Sequence, residues 1–194
     1  MTTPLDTLLA AVRGCTLCAA HLPLGPRPVV QLAPTSRLVI IGQAPGSKVH
    51  ASGVPWQDDS GERLRAWTGL DPATFYDPAQ VALLPMGFCY PGAAGGADLP
   101  PRPECAPLWH ARLLAALPAR RLTLLVGMHA QRAYLGTARG TTLTAAVQAF
   151  AQAPAGRFPL PHPSWRSQGW MRRNPWFEQQ VLPALRQAVR HSLA

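Results

Sequence analysis

Arg37-Leu38-Val39-Ile40-Ile41-Gly42-Gln43-Ala44-Pro45-Gly46 is the stretch on which the reading of this chain turns. Leu38 to Ile41 is a short apolar run, mostly β-branched, and Gly42 stops it. A run of that length with no polar alternation is a strand buried on both faces, the kind that parallel sheets use. Working outward, Val81-Ala82-Leu83-Leu84 is a second such run, stopped by Pro85. Leu122 to Gly127 and Arg157 to Leu160 read as a third and a fourth strand. Between them apolar residues recur at helical spacing. The spacing predicts helices over Leu5 to Arg13, Asp59 to Thr68, Glu104 to Leu117, His129 to Leu135, Thr141 to Ala151 and Phe177 to His191. Pro23 to Pro34 reads as a proline-rich connection and Pro91 to Pro103 as a loop of Gly, Ala and Pro. Strands alternating with helices predict an α/β fold with a mostly parallel sheet.

Composition narrows the classes. The chain has 194 residues, one domain's worth, and 47% of them are hydrophobic, which excludes a disordered polar tail. Charged residues make up only 14%, yet 18 are basic against 9 acidic, for a net charge of +9. That imbalance suits a phosphate-rich partner. It also suits a bias in base composition, because Lys48 is the one lysine and the other basic residues are arginines. No apolar run reaches the ~18–20 residues a bilayer span needs. Residues 1–14 lack a basic leader and carry Asp6 within their apolar stretch, unlike a signal peptide. The expected location is the cytoplasm, where disulfides are rare, so Cys15, Cys18, Cys89 and Cys105 need another role.

Open parallel sheets bind ligands beyond the carboxyl ends of their strands. Three turns fall there: Gly42 to Gly46, Pro85-Met86-Gly87-Phe88-Cys89, and Pro161-His162-Pro163-Ser164-Trp165-Arg166. A glycine-bounded turn lets backbone N–H groups approach a ligand. A His-Pro-Ser turn on the same rim offers an imidazole on a stiff backbone and a hydroxyl able to meet a phosphate.

With these residues in place, the sequence resembles the uracil-DNA glycosylase superfamily, most closely its iron–sulfur members, known as family four, with features of family five. The resemblance covers nearly the whole chain. It rests on Gly42-Gln43-Ala44-Pro45-Gly46, on Gly53-Val54-Pro55-Trp56 followed by Ser60-Gly61 and Leu64, on the four cysteines, and on His162-Pro163-Ser164. It implies a single three-layer α/β/α domain over residues 1–194 with a central four-stranded sheet. It also implies a monofunctional enzyme that hydrolyses the N-glycosidic bond of uracil, or of another deaminated or damaged base, flipped out of DNA during base excision repair.

The resemblance assigns roles residue by residue. Trp56, where the family has Phe, is the platform on which the flipped base stacks; Gly42, Ala44, Pro45 and Gly46 line the substrate turn. His162 is the donor that meets the charge growing on the departing base. Family one's catalytic Asp falls at Ala44, so water activation passes to the Asp-x-Ser-Gly stretch, with Asp58 in register and Asp59 as the alternative. Gln43 stands where family four has Glu. The family's uracil-reading Asn falls at Pro85, which has no amide, so the backbone of Met86 or Gly87 is the substitute reader. Ser164, Trp165 and Arg166 are the DNA wedge, Trp165 or Arg166 filling the space the base leaves; Arg172 and Arg173 are phosphate contacts.

Cys15 and Cys18 form a C-x-x-C pair, with Cys89 and Cys105 following. Four thiolates suit zinc or an iron–sulfur cluster equally by softness and count, and unligated thiols or a redox pair also fit. The resemblance implies a [4Fe–4S] cluster. DNA, single- or double-stranded, is the expected partner, with no membrane and a monomeric chain. Two further readings stand beside this one. One is a DNA-binding member of the fold with weak or lost catalysis; the other is a hydrolase of free nucleosides or nucleotides.

Overall fold

The computed structural model of the chain describes residues 3–136, 138 and 140–194. In chain order the strands are β1 (Leu38–Ile41), β2 (Val81–Leu83), the two-residue β3 (Ala93–Ala94) and β4 (Ala97–Asp98), β5 (Leu122–Val126) and β6 (Arg157–Leu160). The helices are α1 (Pro4–Arg13), α2 (Ser47–Ser52), α3 (Asp59–Thr68), α4 (Pro72–Phe75), α5 (Cys105–Ala115), α6 (Met128–Tyr134), α7 (Leu143–Gln148), α8 (Ser167–Arg173) and α9 (Leu182–Leu193). The central sheet runs β2-β1-β5-β6, with every pairing parallel: Leu38 opposes Val81 on one side and Leu122 on the other, and Thr123 opposes Arg157.

The two faces of the sheet explain the unbroken apolar runs. Val39, Ile41, Ala82, Leu84 and Leu125 face a core shared with Leu9, Trp109 and Leu113 of α1 and α5. Leu38, Ile40, Val81, Leu83 and Leu124 face the opposite core, with Leu64 of α3 and Leu185 of α9. Successive strand side chains point to opposite faces, so a strand covered on both sides has no polar position to show. The result is three layers, α/β/α.

Strand order places the site. The chain leaves β1 for β2 on one side, then returns past β1 to reach β5 and β6 on the other. That reversal opens a crevice at the carboxyl ends, where Gly42 follows β1 and His162 follows β6.

Several expectations need correction. The last helix begins as a π-helical turn over Phe177–Val181 before α9, and the helix expected over Thr141 to Ala151 shortens to α7 followed by a 3-10 turn at Phe150–Gln152. The expected fourth residue of the second strand, Leu84, lies past the end of β2. The loop from Pro91 to Pro103 contains the β3–β4 hairpin, turned at Gly95 and Gly96 with φ of 57° and 74°. Two successive positive φ values make a tight hairpin turn that glycine accepts without cost. Short α2 and α8 escaped periodicity because each buries a single residue, Val49 and Ser167.

Candidate functional site

A cavity of about 270 Å³ opens at the carboxyl edge of the sheet. The turn after β1 supplies Gly42 to Gly46, the turn after β2 supplies Pro85, the turn after β6 supplies His162, and the β3–β4 hairpin forms one lip.

Trp56 is held there against its backbone preference. Its φ is 58°, the one non-glycine positive φ among the described residues. For an aromatic residue this costs roughly 1–2 kcal/mol. Three contacts hold it. The Tyr76 hydroxyl donates to the Trp56 carbonyl at 3.2 Å and itself accepts from Arg65 at 2.9 Å. Gly61 lies so close that a Cβ there would sit 1.7 Å from the Trp56 carbonyl oxygen. The indole lies over Gly42, whose missing Cβ would be 2.6 Å from Cζ2.

The His162 ring faces the same cavity, its centroid 5.8 Å from that of Trp56 and the planes inclined by 30°. Pro161 and Pro163 stiffen its backbone on both sides. The Ser167 hydroxyl donates to the His162 carbonyl, and Arg63 donates to the Pro163 carbonyl at 2.7 Å. Burial lowers the His162 pKa from its ordinary value, with the Asp58 charge acting in the opposite sense. The imidazole is therefore neutral at pH 7, and its one N–H is available to a ligand oxygen.

The two adjacent carboxylates part company. Asp58 lines the cavity while its Oδ1 caps α3, accepting from the Gly61 N–H at 2.8 Å. Asp59 points to solvent and pairs with Lys48 at 3.0 Å, and that pair keeps its carboxyl below the usual range. Neither Asp59 nor Lys48 lines the cavity. A third carboxylate was missed by sequence reasoning: Asp98, at the end of the hairpin, lines the cavity mouth. Its pKa is raised, first by burial and then by Asp58, against the pull of Arg166. Nothing in a Gly-Ala-Pro-rich loop signalled it.

Gln43 lines the cavity and its amide donates to the Leu99 carbonyl at 3.1 Å. Ala44 is on the lining as expected and Pro85 is there too; Met86 and Gly87 are not. Their N–H groups donate to the carbonyls of Gly42 and Gln43, at 2.9 and 3.0 Å. Met86 and Gly87 thus stitch two turns together, and their amides are not available to read a base. His110, also unforeseen, braces this turn from behind. Its Nε2 donates to the Pro85 carbonyl at 2.9 Å, which leaves Nδ1 to accept from the Tyr134 hydroxyl at 2.6 Å.

Ser164, Trp165 and Arg166, expected as a DNA wedge, lie on the cavity rim. Trp165 is 70% exposed, and the Arg166 guanidinium lies over its ring at 5.0 Å. Arg166 also donates to the Gly96 carbonyl at 3.0 Å, which ties the turn after β6 to the hairpin. Arg172 and Arg173 close α8 nearby in sequence.

The four cysteines converge elsewhere. Cys15 and Cys18 follow α1, Cys105 opens α5, and all four line one hollow of about 20 Å³ with Phe88 and Trp109. The thiol of Cys105 accepts from the Phe88 N–H at 3.4 Å, and Cys89 takes a backbone hydrogen bond from Arg27. Burial raises Cys89 to about 11 and Cys105 to about 12, each also pushed by the other thiols. Among the described residues, no three His, Cys, Asp or Glu side chains are grouped as a single metal ion needs. No helix among them is long and apolar enough to cross a membrane.

A family model, the uracil DNA glycosylase superfamily, matches residues 29–186, most of the chain and all three strand-end turns that meet at the cavity. The chain belongs to that superfamily.

Proposed function

We propose that the protein is a monofunctional DNA glycosylase that removes uracil, or another deaminated or damaged base, from DNA in base excision repair. The observation that carries this reading is the pair Trp56 and His162, an indole and a neutral imidazole facing one base-sized cavity. A nucleotide must leave the helix before its glycosidic bond can be reached. Trp56 gives the extruded base a surface to stack on, worth ~1–3 kcal/mol. As the C1′–N bond breaks, its electron pair leaves with the base. The His162 N–H meets the carbonyl oxygen on which that charge collects. Asp58 orients a water for attack at C1′, takes up its proton, and stabilises the cationic sugar with its charge. Water rather than an amine is the attacking group in this reading, which is supported by the position of Lys48, paired with Asp59 away from the cavity lining. Trp165 and Arg166 enter the groove behind the extruded base.

Cys15, Cys18, Cys89 and Cys105 would hold a [4Fe–4S] cluster at their shared hollow; zinc, the alternative, would need the thiols drawn into a tighter group than they form. Four thiols share one hollow, and two of them accept backbone N–H bonds suited to anionic sulfur. When bound, such a group supplies a covalent staple between the segment after α1 and the start of α5. No chemical step passes through it.

A DNA-binding protein of this superfamily without catalysis is the second reading, favoured by Ala44 and Pro85 on the cavity wall. Oligonucleotides holding uracil, hypoxanthine or xanthine, single- and double-stranded, decide between the two. Abasic product on at least one supports the glycosylase. Tight DNA binding with no product on any supports the alternative. Hydrolysis of mononucleotides, indifferent to salt, points to a metabolite hydrolase instead, since DNA binding weakens steeply with salt.

A further inference from the structure

Asp98 has no part in the chemistry above, yet its setting is built. Two residues before it, the Gly96 carbonyl accepts from Arg166; one residue after it, the Leu99 carbonyl accepts from Gln43. Both donors belong to cavity walls, so the hairpin is tied on either side of Asp98. Its Oδ2 lies 3.4 Å from where a Cβ of Gly46 would stand, an ordinary contact distance, so the carboxylate sits against the turn after β1.

The reader that the turn after β2 was expected to supply is missing. Pro85 has no amide, and the Met86 and Gly87 N–H groups are spent. Asp58 gives one oxygen to its helix cap. We propose that Asp98 reads the extruded base: its carboxylate accepts a hydrogen bond from a ring N–H, so the site selects imide and lactam bases, in which N–H adjoins C=O. The proposal rests on the glycosylase reading of the cavity and adds the group that sets its substrate class.

Electrostatics agree. Asp98 faces Asp58 and His162 across the cavity and Arg166 at the mouth. Burial and the Asp58 charge both make its anion less comfortable. An entering base removes more water, and an N–H on that base supplies the partner the carboxylate then lacks. An acceptor-only or N-methylated edge leaves the carboxylate desolvated and unpaired.

The test compares uracil with 3-methyluracil, whose ring N–H is replaced by N–CH3, at one position of the same single-stranded oligonucleotide. Single-turnover excision is measured alongside affinity for matching 2′-fluoro oligonucleotides that resist cleavage. The native protein should favour the N–H base by about 10-fold or more. Asp98→Ala should bring that ratio close to one, while Asp98→Asn keeps most of it, because an amide oxygen still accepts. An unchanged ratio in Asp98→Ala, or no preference in the native protein, overturns the proposal. Should the native protein excise nothing, the glycosylase reading fails, and the affinity ratios alone decide the role of Asp98.

Discussion

The Trp56 carbonyl oxygen and the Gly61 Cα are packed so closely that position 61 has no room for a side chain: a Cβ would sit 1.7 Å from that oxygen. The oxygen is backbone, so a substituted residue 61 can be accommodated only by moving the main chain at Trp56 or the start of α3. Gly61→Ala should therefore destabilise the protein by about 1–3 kcal/mol and displace the indole. Thermal unfolding reads the first effect and uracil excision the second. An unchanged melting temperature would show that the Trp56 turn yields freely.

His162→Ala should slow excision by about 100–1000-fold with DNA affinity nearly unchanged. Full activity in that variant removes the imidazole from the reaction.

Asp58→Asn should impair excision far more than Asp59→Asn, since Asp58 faces the cavity and Asp59 faces solvent and Lys48. The Asp58 charge raises the His162 pKa against the effect of burial, so Asp58→Asn should lower the imidazole titration midpoint further. Proton NMR of the ring tests this, and a midpoint that rises would contradict the geometry.

Stability should fall as pH falls from 7.5 to 5.5. Burial lowers the folded pKa of His110, His129 and His162 below the ordinary value of 6.5. Below ~6.5 the unfolded chain then binds more protons than the folded one, so acid favours unfolding. The contribution is complete above 6.5 and declines below it. Melting temperatures across this range provide the check, and a flat profile would mean that these rings are hydrated in solution.

If the cysteine hollow holds a cluster, protein purified without oxygen should be brown and absorb broadly near ~400 nm. Stripping the iron should loosen α1 and the start of α5, read as faster amide exchange there, with the sheet unaffected. Colourless protein with one zinc per chain would replace the cluster with a zinc site.

Most of the scaffold was legible because its signals are local. Ile40 and Ile41 sit in an unbroken apolar run because both faces of β1 are covered, and Asp59-Ser60 announces the start of α3, whose cap the structure places one residue earlier at Asp58. Trp56 and His162 were legible as parts of motifs. The sequence could not say which of Asp58 and Asp59 turns inward, because that depends on which of them adopts the extended cap conformation. Asp98 and His110 were hidden for a different reason. Each meets a partner distant in the chain, the Gly46 turn for one and Pro85 for the other, and no spacing records such a meeting.

The run Met86-Gly87-Phe88 has a consequence beyond geometry. Its successive amides bond first to Gly42, then to Gln43, then to the Cys105 sulfur. The pocket and the thiol hollow are thus joined through three consecutive peptides. A displacement of the Cys105 sulfur would therefore reach Gly42, beneath the Trp56 indole, through adjoining peptides and without entering the pocket.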